Sequence, residues 1–236
     1  MENSEPFELY NSLVNEVASG LKNVVLLSSS VARCDILKGL GVNVIVRPQN
    51  VTEDNPCLGN AKDVSLKNAI SKMNSFIKKN DLNKVCYPLL SADTVISLSD
   101  APEMNKKIKS GLLGSYPIIG KAENVKDAFD MLSYLVKNRF HSVFTSMVLS
   151  FFDNGKYISV YETDTAVVEF REDITLKEIA DYIDTSEWVG AAGAYRIQGE
   201  GSKLIKRVYG DIGTVIGLSY KALYSALLKK NKEFFG

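Results

Sequence analysis

VVLLSSSVARCDILKGLG, residues 24–41, decides the fold class. Four apolar residues, 24–27, read as a buried strand. Ser28, Ser29 and Ser30 make a polar turn. Arg33 then opens a helix whose apolar positions are Ile36, Leu37 and Leu40, and Gly41 stops it. A strand that runs through a hydroxyl-rich turn into a helix start is an α/β unit, and it is also a ready anion site. The first helical N–H groups lack partners, the hydroxyls add donors, and the guanidinium adds a fixed fork of positive charge. The stretch therefore points to a phosphate-bearing ligand. Ser28, Ser30 and Arg33 read equally well as an ordinary turn with a solvated arginine.

The rest of the chain extends the same α/β class. Residues 6–20 form an amphipathic helix carrying Phe7, Tyr10, Leu13, Val14 and Val17, and residues 1–22 read as an N-terminal helical extension. VNVIV (42–46) alternates like a strand. After the loop RPQNVTEDNPCLGN, Asp63 is expected to cap a helix with Leu66, Ala69, Ile70, Met73 and Ile77 on one face. Residues 85–92 read as a strand weakened at Pro88 and ended by Asp93, with 94–98 continuing it or pairing with it. Residues 99–119 read as a long surface loop, and 124–135 as a helix. Two long strands, 143–152 and 156–170, meet at Asp153-Asn154-Gly155, a strong hairpin signal. Thr175 and Glu178 make a capping box for a helix with Ile179, Tyr182 and Ile183. A Gly- and Ala-rich loop (190–201), a short strand (203–208), a loop (209–217) and a C-terminal helix (218–230) complete the chain. Strands alternating with helices around a long hairpin give a mixed sheet flanked by helices.

Bulk properties narrow the function classes. The 236 residues suffice for one large domain with a sizeable core. Lys plus Arg equals Asp plus Glu at 28 each, so no global field draws the chain to nucleic acid or a membrane. Cys34, Cys57 and Cys86 are dispersed and unpaired in sequence, which suits small buried hydrophobes in a reducing compartment. His141 is the single histidine. Beside the strand HSVFTSMVL it has no evident catalytic partner and reads as structural. The acidic start MENSEPFELYNSL lacks the pattern of a targeting peptide, and no apolar run approaches a membrane span, so a cytoplasmic location is expected.

Several further residues are candidates, each beside a plainer reading. Glu53 lies in a polar loop, where glutamates are mostly solvated. Lys72 flanks an apolar helical stripe and reads as a snorkelling lysine. Asp93 at an apolar strand end needs a task, a partner or water, and a turn aspartate is the plain alternative. Lys121 after Gly120 suits a phosphate contact, although the Walker pattern is absent. Gln198 offers both a donor and an acceptor to a base edge, or satisfies its own loop backbone.

In order, these pieces resemble the Maf family of nucleoside-triphosphate pyrophosphatases, septum-formation proteins related to the inosine-triphosphate pyrophosphatase fold. The resemblance spans roughly residues 23–228. It rests on Ser28-x-Ser30-x-x-Arg33, Glu53, Lys72, Ala92-Asp93-Thr94, Gly120-Lys121, His141-x-Val143-x-Thr145, the run from Ala192 to Gly199, and Asp211 with Val215 to Leu218. Two departures stand out. Ala32 replaces the first arginine of the family's Pro-Arg-Arg turn, at a position tied to substrate choice. Asp93 and Lys121 lie 121 − 93 = 28 positions apart, further than is usual, with the excess in a loop insertion at 99–119.

The resemblance implies a single two-lobed domain over 23–230 with a twisted mixed sheet and a deep cleft. It implies hydrolysis of a (deoxy)nucleoside triphosphate between the α and β phosphates, giving a monophosphate and pyrophosphate. Ser28, Ser30, Arg33, Lys72 and Lys121 would bind phosphate. Glu53 and Asp93 would hold magnesium, with manganese as the alternative, and Asp93 would be the catalytic proton acceptor. Ala32, Thr94 and Gln198 match positions linked with base selection, and the Thr–Gln pair resembles the branch acting on dTTP and UTP. The family also implies a homodimer. The rival readings are a nucleotide-binding regulator of cell division with little turnover, favoured by Ala32, and a pyrophosphatase for modified or non-standard nucleotides.

Overall fold

The computed structural model describes residues 5–53, 58–80, 85, 87–98, 116–153 and 156–235. The elements in chain order are α1 (Glu5–Gly20), β1 (Asn23–Leu26), α2 (Val31–Gly39), β2 (Asn43–Val46), β3 (Leu58–Gly59), α3 (Ala61–Lys79), β4 (Leu89–Ser97), β5 (Tyr116–Ile119), α4 (Val125–Asn138), β6 (Phe140–Asp153), β7 (Lys156–Phe170), α5 (Leu176–Asp184), β8 (Ile205–Tyr209), α6 (Ile212–Ile216) and α7 (Tyr220–Phe235). The main path of the sheet is β2-β1-β4-β6-β7-β8, so the expected α/β class with a mixed sheet flanked by helices is what forms.

β1 pairs in parallel with β2 and β4, as a strand followed by a crossover helix requires. The expected hairpin is the sheet's largest unit, with β6 and β7 in antiparallel register from Phe140↔Glu169 to Asp153↔Lys156. Its turn residues 154–155 lie outside the described residues.

β4 organises the molecule. Its whole length pairs antiparallel with β6, from Leu89↔Ser150 to Ser97↔Ser142. On the opposite edge β1 meets Leu89 and Leu90, and β5 meets Ile96 and Ser97. Between these two partners the edge at 91–95 opens. The two faces of β4 separate by the strand period of two. Leu89 packs with Ala69, Met73 and Phe76 of α3, and Val95 packs with Ala61 and Val64 of the same helix. Ser91 Oγ donates to the Ala69 carbonyl at 2.7 Å. Leu90 and Ala92 face the other way, into a core with α1, α2 and α7, whose members include Leu13, Val17, Leu37 and Leu223. A second core joins α4, α5 and the far end of β6 and β7 through Leu132, Leu135, Phe170, Tyr182 and Tyr195.

Five expectations change. Asp93 does not end a strand: it is the middle of β4, and Pro88 precedes the strand instead of weakening it. An apolar-run reading stops at a carboxylate, whereas the chain continues because the charge is paired. α3 begins at Ala61 with Asn60, not Asp63, as its cap, the Asn60 side chain accepting from Lys62 N at 3.1 Å. Its buried face is rotated from the apolar stripe and includes Ser65, Asn68 and Lys72. Within the expected 99–119 loop, Tyr116–Ile119 is strand β5, and 99–115 lie outside the described residues. The expected 209–217 loop contains α6, capped by Asp211 and ended at Gly217 in the left-handed region (φ 117°). The Thr175–Glu178 capping box forms as expected. Cys34 is buried, while Cys57 and Cys86 are outside the described residues.

Candidate active site

The open edge of β4 lies at a cleft of about 460 Å³. Ser28, Ser30 and Arg33 reach it from the β1–α2 junction, Glu53 from the loop after β2, Lys72 from α3, Asp93 and Thr94 from β4, Lys121 from the end of β5, and Gln198 from the loop before β8. Residues spread over 170 positions of sequence (198 − 28) thus share one concavity. Ala32 is the exception: it is buried in α2 and is not among the lining residues, whereas its neighbour Val31 is 70% exposed and lines the cleft.

Two hydrogen-bonded systems build the site. The first is an ion network. Lys72 Nζ lies 2.6 Å from Asp93 Oδ1, 2.8 Å from Glu53 Oε1 and 3.4 Å from the Ala92 carbonyl. Lys121 Nζ lies 2.7 Å from Glu53 Oε2. Lys72 and Asp93 are buried, which a charge tolerates only when paired. Burial pushes the Glu53 carboxyl up, but hydrogen bonds from Lys121 and Lys72 outweigh it and hold the pKa down at about 2. The snorkelling reading of Lys72 and the solvated reading of Glu53 are therefore both replaced.

The second system is a directed chain of donors. Arg33 Nε donates to the Gly217 carbonyl at 2.7 Å, Nη1 to Ser28 Oγ at 2.9 Å and Nη2 to Thr94 Oγ1 at 3.0 Å. Thr145 Oγ1 donates to the Thr214 carbonyl at 2.7 Å, which commits its only proton. The 2.9 Å contact between Thr94 and Thr145 must then be donated by Thr94. Protons run one way, from guanidinium through two threonines to a backbone carbonyl. Burial lowers the pKa of Arg33, and the charges of Asp93 and Glu53 oppose that effect. Ser30 caps α2, accepting from Arg33 N at 3.4 Å.

The far wall is held by backbone contacts. Lys121 forms an antiparallel bridge with Ala192, and Gly193 N donates to the Gly120 carbonyl at 2.8 Å. Arg196 donates to the carbonyls of Glu187 and Val189 at 2.7 and 2.8 Å, fixing the turn that carries Val189 and Gly190 into the cleft.

His141 is fully buried, 2.8 Å from the Tyr195 hydroxyl and edge-on to Phe170, and burial lowers its pKa to about 3. It is the structural residue expected. Asn68 escapes sequence reading. Its Nδ2 donates to Asp93 Oδ2 at 3.0 Å. The available signal is its position one helical turn before Lys72, on the same face.

A model of the Maf-like protein family matches residues 23–230. The chain belongs to the Maf family. Among curated Maf relatives, the dTTP/UTP pyrophosphatase of Staphylothermus marinus is 33% identical over 220 residues, covering 92% of this chain and 91% of the relative. That of Dictyoglomus thermophilum is 32% identical over 212 residues, covering 87% and 95%. That of Treponema denticola is 30% identical over 210 residues, covering 89% and 97%. Of the charged residues that carry the Maf resemblance, Arg33, Glu53, Lys72, Asp93 and Lys121 meet in the cleft, whereas Asp211 caps α6.

No cluster of three or more His, Cys, Asp or Glu suited to a metal occurs among the described residues. Glu53 and Asp93, bridged here by Lys72 Nζ, are two hard oxygen donors, a set that fits a divalent cation completing its shell with water and phosphate oxygens. No described helix is long and apolar enough to cross a membrane.

Proposed function

We propose that this protein is a nucleoside triphosphate pyrophosphatase acting on dTTP and UTP, with residues 23–230 as its catalytic domain and 1–22 as an N-terminal extension. The observation that carries the reading is the buried Lys72–Asp93 pair at a cationic cleft. The lining holds Arg33, Lys72, Lys121 and Arg196 against Glu53 and Asp93, 4 − 2 = +2, a balance suited to a polyanion. The names of the curated relatives point the same way.

Without substrate the lysines are occupied by carboxylates. A triphosphate tail would exchange those partners, taking Lys72 and Lys121 onto its oxygens with the Ser28 and Ser30 hydroxyls beside them. Arg33 keeps one N–H on each Nη for the same task while its other donors hold the cleft wall. A magnesium ion, or manganese, held by Glu53 and Asp93 would neutralise phosphate charge and acidify the attacking water. Asp93 accepts the proton of that water. The water oxygen bonds to phosphorus, the bond between the α and β phosphates breaks, and monophosphate and pyrophosphate leave. Gln198, exposed on the loop, offers an amide to the pyrimidine edge, with Thr94 nearby and Ala32 acting through the packing of α2. The protein works in the cytoplasm as a homodimer, without nucleic-acid or membrane partners.

The test is pyrophosphate release from dTTP, UTP, CTP, 7-methyl-GTP and inosine triphosphate with magnesium. Release from dTTP and UTP above the others, abolished by Asp93→Asn, is expected. No release above the Asp93→Asn control would leave a nucleotide-binding regulator, and equal rates on every base would remove the role of Gln198.

A further inference from the structure

We infer that Asn68 is a positioning residue for the Asp93 carboxylate, which rests on Asp93 being the proton acceptor proposed above. Asp93 is held at both oxygens. Oδ1 lies 2.6 Å from Lys72 Nζ, and Oδ2 accepts from Asn68 Nδ2 at 3.0 Å. Both donors come from one face of α3, four residues apart, opposite the middle of β4.

The two anchors differ in kind. Lys72 is a charged group on a long stem, shared with Glu53 and the Ala92 carbonyl, and it lines the cleft. A triphosphate draws it away from Asp93. Asn68 is neutral, 3% exposed and absent from the cleft lining, so the substrate does not compete for it. Its amide also leaves the charge of Asp93 intact, unlike a cation that would quench the base. During turnover Asn68 is therefore the protein contact that keeps the carboxylate in its rotamer, with Oδ2 held and the remaining lone pairs left to the cation and the attacking water. An apolar residue here would leave Asp93 free to turn once Lys72 departs.

The decisive variant is Asn68→Leu, which keeps the number and branching of the heavy atoms and removes the donor. Losing one hydrogen bond to a charged group corresponds to about a 10- to 100-fold fall in kcat. KM for dTTP is expected to stay within about twofold, because Asn68 does not touch the substrate. Asn68→Asp keeps the shape but sets a second carboxylate against Oδ2, and it is expected to lose more than Asn68→Leu. A crystal structure of Asn68→Leu with a non-hydrolysable triphosphate analogue reads the Asp93 rotamer without any turnover. A rotated Asp93 with analogue affinity unchanged supports the inference. An Asp93 that keeps its place, or a kcat within twofold of wild type, overturns it. If Asn68→Leu does not fold, Asn68→Ala, which also removes the donor and adds no charge, carries the same kinetic and crystallographic comparison. A wild type that releases no pyrophosphate fails the functional reading instead, while the rotamer comparison still decides on Asn68.

Discussion

Replacing Lys72 by methionine keeps an unbranched side chain one atom shorter and removes its charge. Asp93 is then left 4% exposed, with the neutral amide of Asn68 as its side-chain donor among the described residues and the Arg33 charge acting on it through space. Removing one partner of a buried ion pair costs about 3–5 kcal/mol, because the other charge stays desolvated and unpaired. Glu53 adds little to that loss, since it retains Lys121 and is partly exposed. The hydrogen bond from Asn68 keeps some solvation of Asp93, so the lower end applies, about 3 kcal/mol. For a domain of this size that corresponds to a Tm lower by about 6–12 °C. Urea melts should show a lower midpoint with an unchanged m-value. The double variant Lys72→Met with Asp93→Asn removes both charges and should recover much of the loss, giving a large coupling in the mutant cycle. A Tm within about 2 °C of wild type, or strictly additive single and double effects, would refute the claim that Lys72 neutralises Asp93.

Three other perturbations follow from the same contacts. Arg33→Lys keeps a charge but loses the fork that joins Gly217, Ser28 and Thr94; a loss of about 2–4 kcal/mol in urea melts is expected, against none for a solvated arginine. Gly217→Ala forces a side chain into the left-handed region at φ 117°, with its Cβ 3.3 Å from both Arg33 Nε and Thr94 Oγ1; a cost of about 1–2 kcal/mol is expected, and an unchanged melting curve would contradict it. His141 binds its proton in the folded chain only near pH 3 but in the unfolded chain near 6.5, so unfolding takes up a proton between these values and stability falls as pH drops through that window. As the single histidine, it accounts for the slope between about pH 7 and 6, above the range in which carboxylates such as Glu53 contribute, and stability of His141→Gln should be nearly flat there by urea titration.

Local patterns in the chain already carry the α/β class, the β6–β7 hairpin, the α5 capping box and the strand-turn-helix that opens the cleft. Each of these depends on neighbours within a few residues: a period of two or 3.6, a Gly turn, a cap three residues from its partner. The ordered motifs also name most of the charged site. What escapes is whatever depends on a partner far along the chain. Asp93 sits mid-strand because Lys72 crosses from α3 to neutralise it, and no local rule allows a bare carboxylate there. The buried face of α3 turns away from its most apolar stripe because Ser65, Asn68 and Lys72 find polar partners across it. Tyr116–Ile119 becomes a strand because β3 pairs with Tyr116 and Pro117 and the β4 edge at Ile96 and Ser97 pairs with Ile118 and Ile119. Asn68 acquires its task only when α3 is laid across β4. Local sequence settles where backbone hydrogen bonds close on themselves; the desolvation of charges is settled by what lies across the fold.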